Sequence, residues 1–378
     1  MTLFRRALNK VIPQRRSFWG MRKKKPSSVV NWKEPVENIL ERKMDLQKLY
    51  EELQNGNHDE DYTELCINYA RTLLNNGMSV IFDTDHLSKL IGISSHELYS
   101  YYLFANNLYT EVKLPKKNGS FRTINAPSEN LKYIQKWILD NILYNKNCSH
   151  FANGFIKDKS IVDNARPHVG KPCVINLDIK DFFPTIKYID IYKLFKGFGY
   201  TSHLSMVLTG LSTYNNVLPQ GAPTSPYLSN LICRNLDVKF ESLANRISAS
   251  YTRYADDITF SGEKSITKYI ALIKSIIKSE GFTINEKKVR VQYQYHKQMV
   301  TGLIVNEKLS VPKSTKMYLR QQIYFSIKYG VTNNLERQNI NKSNYKDHLY
   351  GIAYFIKMVE PLVGEQYIKQ LNGIDWES

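Results

Sequence analysis

Three aspartates carry the most suggestive chemistry in this sequence. Asp178 sits at the end of the apolar run CVINLDI (173–179), with Asp181 three residues on, and Asp256 and Asp257 form the tip of a Tyr-Ala-Asp-Asp turn. A carboxylate at the mouth of a buried strand is costly unless a cation or a hydrogen-bonding partner compensates it. Mg²⁺ answers that need, because it takes octahedral oxygen ligands, usually one or two carboxylates plus substrate phosphates. If the strand ending at Asp178 lies beside the 248–262 segment, the three carboxylates converge on a pair of ions. Such a pair clamps the attacking and leaving oxygens of an in-line phosphoryl displacement. An isolated Asp-Asp dipeptide in a hairpin is ordinary turn chemistry. Here a second acidic strand end and two further segments favour the metal reading.

Those two segments suit a nucleotide. Lys116, Lys117 and Arg122 flank Asn118-Gly119, so a hairpin would present cations able to grip a triphosphate. The run LPQGAPTSP (218–226) reads as a rigid loop opening a helix, and its backbone and Gln220 could lie flat against a base pair without reading its identity.

The elements that must position these groups follow from periodicity. Residues 34–75 and 84–104 show apolar positions at three- and four-residue steps, with Asp85 or Thr84 a candidate cap for the second stretch. The character changes at 110: TEVKLPKKNGSFRTINAP alternates about Asn-Gly, a strong hairpin signal. Then come a helix through Leu131, Ile134 and Ile138, the buried strand 173–179, a helix near 188–197, and SASYTRYADDITFSG (248–262) as two strands about a tight turn. A helix through Ile266, Ile270, Ile273 and Ile277 and a strand at 289–295 complete the centre, and the chain turns helical and tyrosine-rich from about 303. There, Lys313, Lys316 and Arg320 share one helical face.

Composition narrows the partner. The 378 residues carry 52 Lys+Arg against 35 Asp+Glu, a formal charge of +17, which points to a polyanion. Residues 1–25 hold nine basic residues and no acid. The arm 1–30 reads as nucleic-acid-binding in preference to a transit peptide, since it runs into MRKKKPSS with no cleavage signal. A hydrophobic share of 42% excludes wholesale disorder. Four scattered cysteines exclude a disulfide framework or zinc ribbon and fit a reducing cytoplasm. No apolar run reaches membrane-spanning length.

In order, RTINAP, LDIKDFFPTI, LPQGAPTSPYLSNL, YADD, GFTINEKKVRV and VTGLIVN resemble the blocks of reverse transcriptases, over residues 84–305. Asn164-Ala-Arg-Pro-His168 and Val300-Thr301-Gly302 are similar to the NAxxH and VTG elements of bacterial retron enzymes. The resemblance implies an α+β right-hand polymerase: a basic arm (1–30), a helical N-terminal region with fingers (31–172), a palm of antiparallel sheet with helices on one face (173–302), and a helical, RNA-binding thumb (303–378). It implies that Asp178, Asp256 and Asp257 are catalytic and, with Ile179 counted beside them, hold two Mg²⁺ ions. Phe183 would stack under the incoming sugar and exclude a 2′-oxygen. Gln220 would lie beside the nucleotide, Lys116 or Lys117 with Arg122 would hold the triphosphate, and Lys288, or its neighbour Lys287, would face the leaving pyrophosphate. Asn164, His168, Lys313, Lys316 and Arg320 are the expected RNA-binding residues, with Asn164 and His168 either touching RNA or holding a loop.

The implied partners are a structured non-coding RNA serving as template and primer, its DNA product and deoxynucleoside triphosphates. Such enzymes start from a 2′-hydroxyl of an internal guanosine and make a branched RNA–DNA hybrid in the bacterial cytoplasm, often in antiphage defence, where an effector protein joins some systems. About 75 residues follow Gly302, too few for a thumb plus a ribonuclease H domain. Competing expectations are a group II intron-like or other defence-associated reverse transcriptase, and a non-catalytic RNA-binding scaffold of polymerase fold.

Overall fold

The computed structural model describes residues 45–56, 58–115, 119, 121–338 and 344–377. The expectations for the 1–30 arm and for Lys116 and Lys117 therefore lie outside the described residues. The fold is α+β, and the chain forms two compact units, Met1–Asn147 with Phe183–Ile232 and Cys148–Phe182 with Cys233–Ser378.

In the first unit the expected hairpin forms. Strand β1 (Tyr109–Pro115) pairs antiparallel with β2 (Phe121–Pro127), from Tyr109↔Pro127 to Pro115↔Phe121. Gly119, in the connecting turn, has φ +80°, a conformation that costs glycine little. The 84–104 stretch is two helices, Thr84–Ile91 and Ser95–Leu103. Gly92 ends the first at φ +88° and a Ser94–Glu97 capping box starts the second. The cap of the first is Asp83, one residue before the expected pair; its carboxylate accepts from the His86 N–H. Helices Glu129–Asn141, Tyr188–Gly197, Ser202–Ser212 and Ser225–Ile232 complete this unit's core, where the Gln135 side chain donates to the Leu211 carbonyl at 2.8 Å.

The second unit is built on β3 (Cys173–Lys180), a strand paired on both edges and buried on both faces along most of its length, hence its nearly unbroken apolar run. On one edge it meets β5 (Asp257–Gly262), which in turn pairs with β4 (Ser250–Tyr254). The other edge takes β6 (Thr283–Ile284) at Ile179–Lys180 and β7 (Arg290–Tyr293) at Cys173–Asn176, all pairings antiparallel. The helix Arg234–Arg246 sends Phe240 against Tyr251 and Phe260, with ring centroids 5.1 and 5.2 Å away. The short pair β8 (Met299–Val300) and β9 (Leu303–Ile304) leads into helices Lys313–Tyr329, Val331–Arg337, Tyr345–Val359 and Pro361–Asn372. Their buried face, with Leu319, Ile323, Leu349, Ile356 and Leu371, forms one hydrophobic cluster with Val300, Leu303, Val162, Ala165 and Val174 of β3. Among the described residues no helix is long and apolar enough to cross a membrane.

Candidate active site

The register of β3 and β5 sets Asp178 directly opposite Asp257. Asp256 occupies the adjoining turn, and its carbonyl accepts the Ile179 N–H at 3.0 Å, so the turn is fastened to the end of β3. The strand order thus gathers at one sheet end the carboxylates that the sequence suggested. Asp178 is nearly buried, at 6% exposure, and its charge is answered from the β6 side. Lys288 donates to Oδ2 at 2.7 Å, the Asn285 side chain donates to Oδ1 at 3.2 Å, and the Asn285 N–H donates to the backbone carbonyl at 2.8 Å. Of the two lysines left open by the sequence, Lys288 is the one on Asp178, and that contact raises its pKa.

Asp257 has the opposite environment. Loss of solvent, then the like charges of Asp256 and Asp178, push its carboxyl up to about 6, against the pull of Lys288 and Arg290. The residue keeps an exposed surface, so water screens part of this repulsion. Crowded carboxylates with open access make a hard, oxygen-rich donor set of the kind that divalent cations relieve. Among the described residues no group of three or more His, Cys, Asp or Glu side chains could hold a metal ion as the side chains stand. The Asp178 oxygens are engaged by Lys288 and Asn285.

The turn itself is strained and heavily supported. Tyr254 pairs with Asp257, leaving Ala255 and Asp256 as its two central residues, and Ala255 has φ +57°. A residue with a Cβ pays about 1–2 kcal/mol in that region, so the surroundings must over-determine it. Segment 151–154 runs beside β4: the Arg253 N–H donates to the Phe151 carbonyl and the Asn153 N–H to the Arg253 carbonyl. A Cβ on Gly154 would come 2.7 Å from the Ala255 nitrogen, so this close approach needs glycine. Beneath the turn, the fully buried Arg253 makes a fork to Asp237, Nε to Oδ1 and Nη2 to Oδ2, both 2.7 Å, and its Nη1 donates to the Ala255 carbonyl at 3.2 Å. The Tyr251 hydroxyl also donates to Asp237 Oδ1 at 2.7 Å. Burial, then the Asp237 charge, raises the Tyr251 hydroxyl well above its ordinary value and keeps it a donor.

Three expected nucleotide contacts belong to the first unit, on one hydrogen-bonded scaffold. Half-buried Phe183 lies in the short helix Phe182–Thr185, and its carbonyl accepts the Ile186 N–H. The Ile186 carbonyl accepts from Leu218, and the Gln220 carbonyl accepts from Asn125 of β2 at 2.8 Å. Gly221, at φ +137°, has no room for a Cβ, which would lie 2.6 Å from the Asn125 oxygen. Arg122 is exposed on β2, three residues before Asn125.

Two expected RNA contacts are corrected by burial. Asn164 and His168 expose no surface, so neither reaches RNA from its position. They hold a loop, the other role the sequence allowed. His168 bonds the Ser261 and Thr252 hydroxyls through its two ring nitrogens at 2.6 and 2.8 Å. Burial, with Lys171 nearby, lowers its pKa to about 3, so it is neutral. Asn164 meets Thr301, whose hydroxyl donates to the Ile161 carbonyl, so the Asn-x-x-x-His and Val-Thr-Gly segments form one network. Lys316 is corrected in part: it is bound to both oxygens of Glu360 at 2.9 and 3.0 Å, while Lys313 and Arg320 are exposed. Asp237 and Arg253 escaped the sequence reading.

Residues 114–317 match the family model described as reverse transcriptase (RNA-dependent DNA polymerase). The chain is 39% identical to the retron Ec86 reverse transcriptase of Escherichia coli over 80% of its own length and 92% of that protein's. It is 30% identical to the retron Mx162 reverse transcriptase of Myxococcus xanthus, covering 79% of this chain and 68% of the relative. Against the retron Ec73 reverse transcriptase of Escherichia coli the identity is 31%, covering 69% and 87% respectively.

Proposed function

The chain belongs to the reverse transcriptase family and is of the retron type, an RNA-directed DNA polymerase, and from that premise we propose its product and its working residues. The enzyme copies part of a structured non-coding RNA into a branched RNA–DNA hybrid, in a system serving antiphage defence. Segments 31–172, 173–302 and 303–378 act as fingers, palm and thumb. Asp178, Asp256 and Asp257, with Ile179 beside them, would hold two Mg²⁺ ions, which when bound supply Lewis-acid stabilisation at the attacking and leaving oxygens. The observation that carries this reading is the pairing of Asp178 with Asp257 beside Asp256 at one sheet end.

The chain's own residues supply the rest. Lys288, which donates to Asp178 in this structure, would supply an ammonium to the departing pyrophosphate. Phe183 excludes a 2′-hydroxyl by bulk, Gln220 steadies the nucleotide, and Arg122 with Lys116 or Lys117 grips the triphosphate. Lys313 and Arg320 contact RNA phosphates.

Replacing Asp256→Asn with Asp257→Asn should reduce DNA synthesis to background while RNA binding persists; retained synthesis would refute the ion assignment. Phe183→Val should admit ribonucleotides, and unchanged sugar discrimination would remove Phe183 from the gate. Sequencing the nucleic acid that co-purifies with the protein tests the product: a branched RNA–DNA species is expected, and unbranched RNA alone would overturn the retron-type product.

A further inference from the structure

We infer that Arg253, itself held by Asp237, is a positioning residue for the catalytic aspartates: it fixes the Ala255 carbonyl, and so the left-handed turn that presents Asp256 and Asp257 to cations. This rests on reading those aspartates as ion ligands. An arginine with no exposed surface is uncommon, and well-packed apolar side chains often stabilise as well as a buried ion pair. What apolar side chains cannot do is bind a backbone carbonyl. The planar fork spends two donors on Asp237 and brings a third to Ala255, a division fixed by the rigidity of the guanidinium. Asp237 in turn sits on the helix Arg234–Arg246, whose Leu236, Phe240 and Leu243 are buried, so the anchor does not drift.

On its other side the turn meets Gly154, whose missing side chain leaves the Ala255 nitrogen in close contact. The two supports are independent: one is a charged hydrogen bond, the other steric. Disturbing either should move Asp256 and Asp257 relative to Asp178 without changing a ligand. A lysine at 253 keeps the charge but is a point donor on a flexible stem, unable to serve Asp237 and Ala255 in the same fork geometry.

The test is Mn²⁺ binding by the full chain, read from free Mn²⁺ by electron paramagnetic resonance, together with the Mg²⁺ concentration for half-maximal synthesis on poly(rA)·oligo(dT). Arg253→Lys and Gly154→Ala should each weaken Mn²⁺ binding about tenfold or more, as loss of outer-shell support does, and raise the Mg²⁺ midpoint in parallel. The KM for template should be unmoved. Tyr251→Phe, which removes one bond to Asp237 but leaves the Arg253 fork and the turn in place, should lower thermal stability and leave the metal midpoint near wild type. Normal Mn²⁺ affinity in folded Arg253→Lys and Gly154→Ala, or a loss of kcat at an unchanged metal midpoint, would overturn the inference. If Arg253→Lys fails to fold, Gly154→Ala decides by the same readout. The Asp256→Asn/Asp257→Asn protein is the reference. Should it bind Mn²⁺ as wild type does, the ion-ligand reading fails and this inference with it; should it lose Mn²⁺ while both support variants retain it, the inference alone fails.

Discussion

Asp237 and Asp257 belong to the same compact unit and lie on either side of β4 in sequence, yet their surroundings are opposite. Asp237 has no exposed surface and receives two guanidinium bonds and a phenol, all at 2.7 Å. Asp257 has an exposed surface and two carboxylate neighbours that, after burial, raise its pKa. Full compensation beneath the turn and incomplete compensation at its tip are complementary. The first holds the backbone still, and the second leaves negative charge that a cation can use. Electrostatic frustration is thereby confined to the residues argued to do chemistry, with a satisfied ion pair directly below.

The largest effect should come from breaking the satisfied side. Asp237→Ala takes the carboxylate from a buried guanidinium and should cost about 3–5 kcal/mol in urea unfolding. Replacing both partners, Asp237→Leu with Arg253→Met, should recover most of that stability while leaving the Ala255 carbonyl without its guanidinium donor; no recovery of stability would mean that charge compensation is not what the pair contributes to folding.

At the tip the sign reverses. The Asp257 carboxyl is raised from its ordinary 3.8 to about 6 in the folded protein. Below 3.8 both folded and unfolded chains hold the proton and the acid behaves like a neutral group. As pH rises through 6 the folded state must carry the repelled charge, and that stability is lost. Asp257→Asn should therefore stabilise the metal-free protein at pH 8 by on the order of 1 kcal/mol after discounting for solvent screening, and hardly at all at pH 4. Thermal melts giving the same difference at both pH values would break the comparison.

The smallest effect extends the contrast to cations. Lys316, neutralised by Glu360, should contribute little to RNA binding, so Lys316→Gln should leave the salt dependence of RNA affinity unchanged. Lys313→Gln with Arg320→Gln should flatten that slope by about 0.7–0.9 per lost phosphate contact. Equal slopes for both variants would show that pairing within the protein does not decide which cations meet RNA.

Much of the site was legible because it is local. Asp178 ends an apolar run long enough for a strand buried on both faces, and Tyr-Ala-Asp-Asp between alternating segments is a turn by its own composition. The helix break at 92–94 was also written locally, in a glycine and a serine-glutamate box, though the apolar spacing ran across it. What escaped depends on distant partners. Arg253 reads as a surface cation until Asp237, sixteen residues earlier, is known to meet it in the core. Lys316 looks free until Glu360 folds back on it. Thr259 and Ser261 look like the solvent face of an alternating strand, yet both are buried, because Asn176 and His168 supply their hydrogen bonds.

The hydrophobic cluster that runs from Val174 into the last four helices ties the reach of the C-terminus to β3, the strand that ends at Asp178. A chain cut back to residue 312 would lose much of the cluster that includes Val174 of β3 as well as removing cations. The segment 313–378 is therefore a poor place to trim in search of a minimal polymerase. Grafting a foreign RNA-recognition tail onto this enzyme would have to spare Leu319, Leu349 and Ile356 and vary only the outward-facing positions.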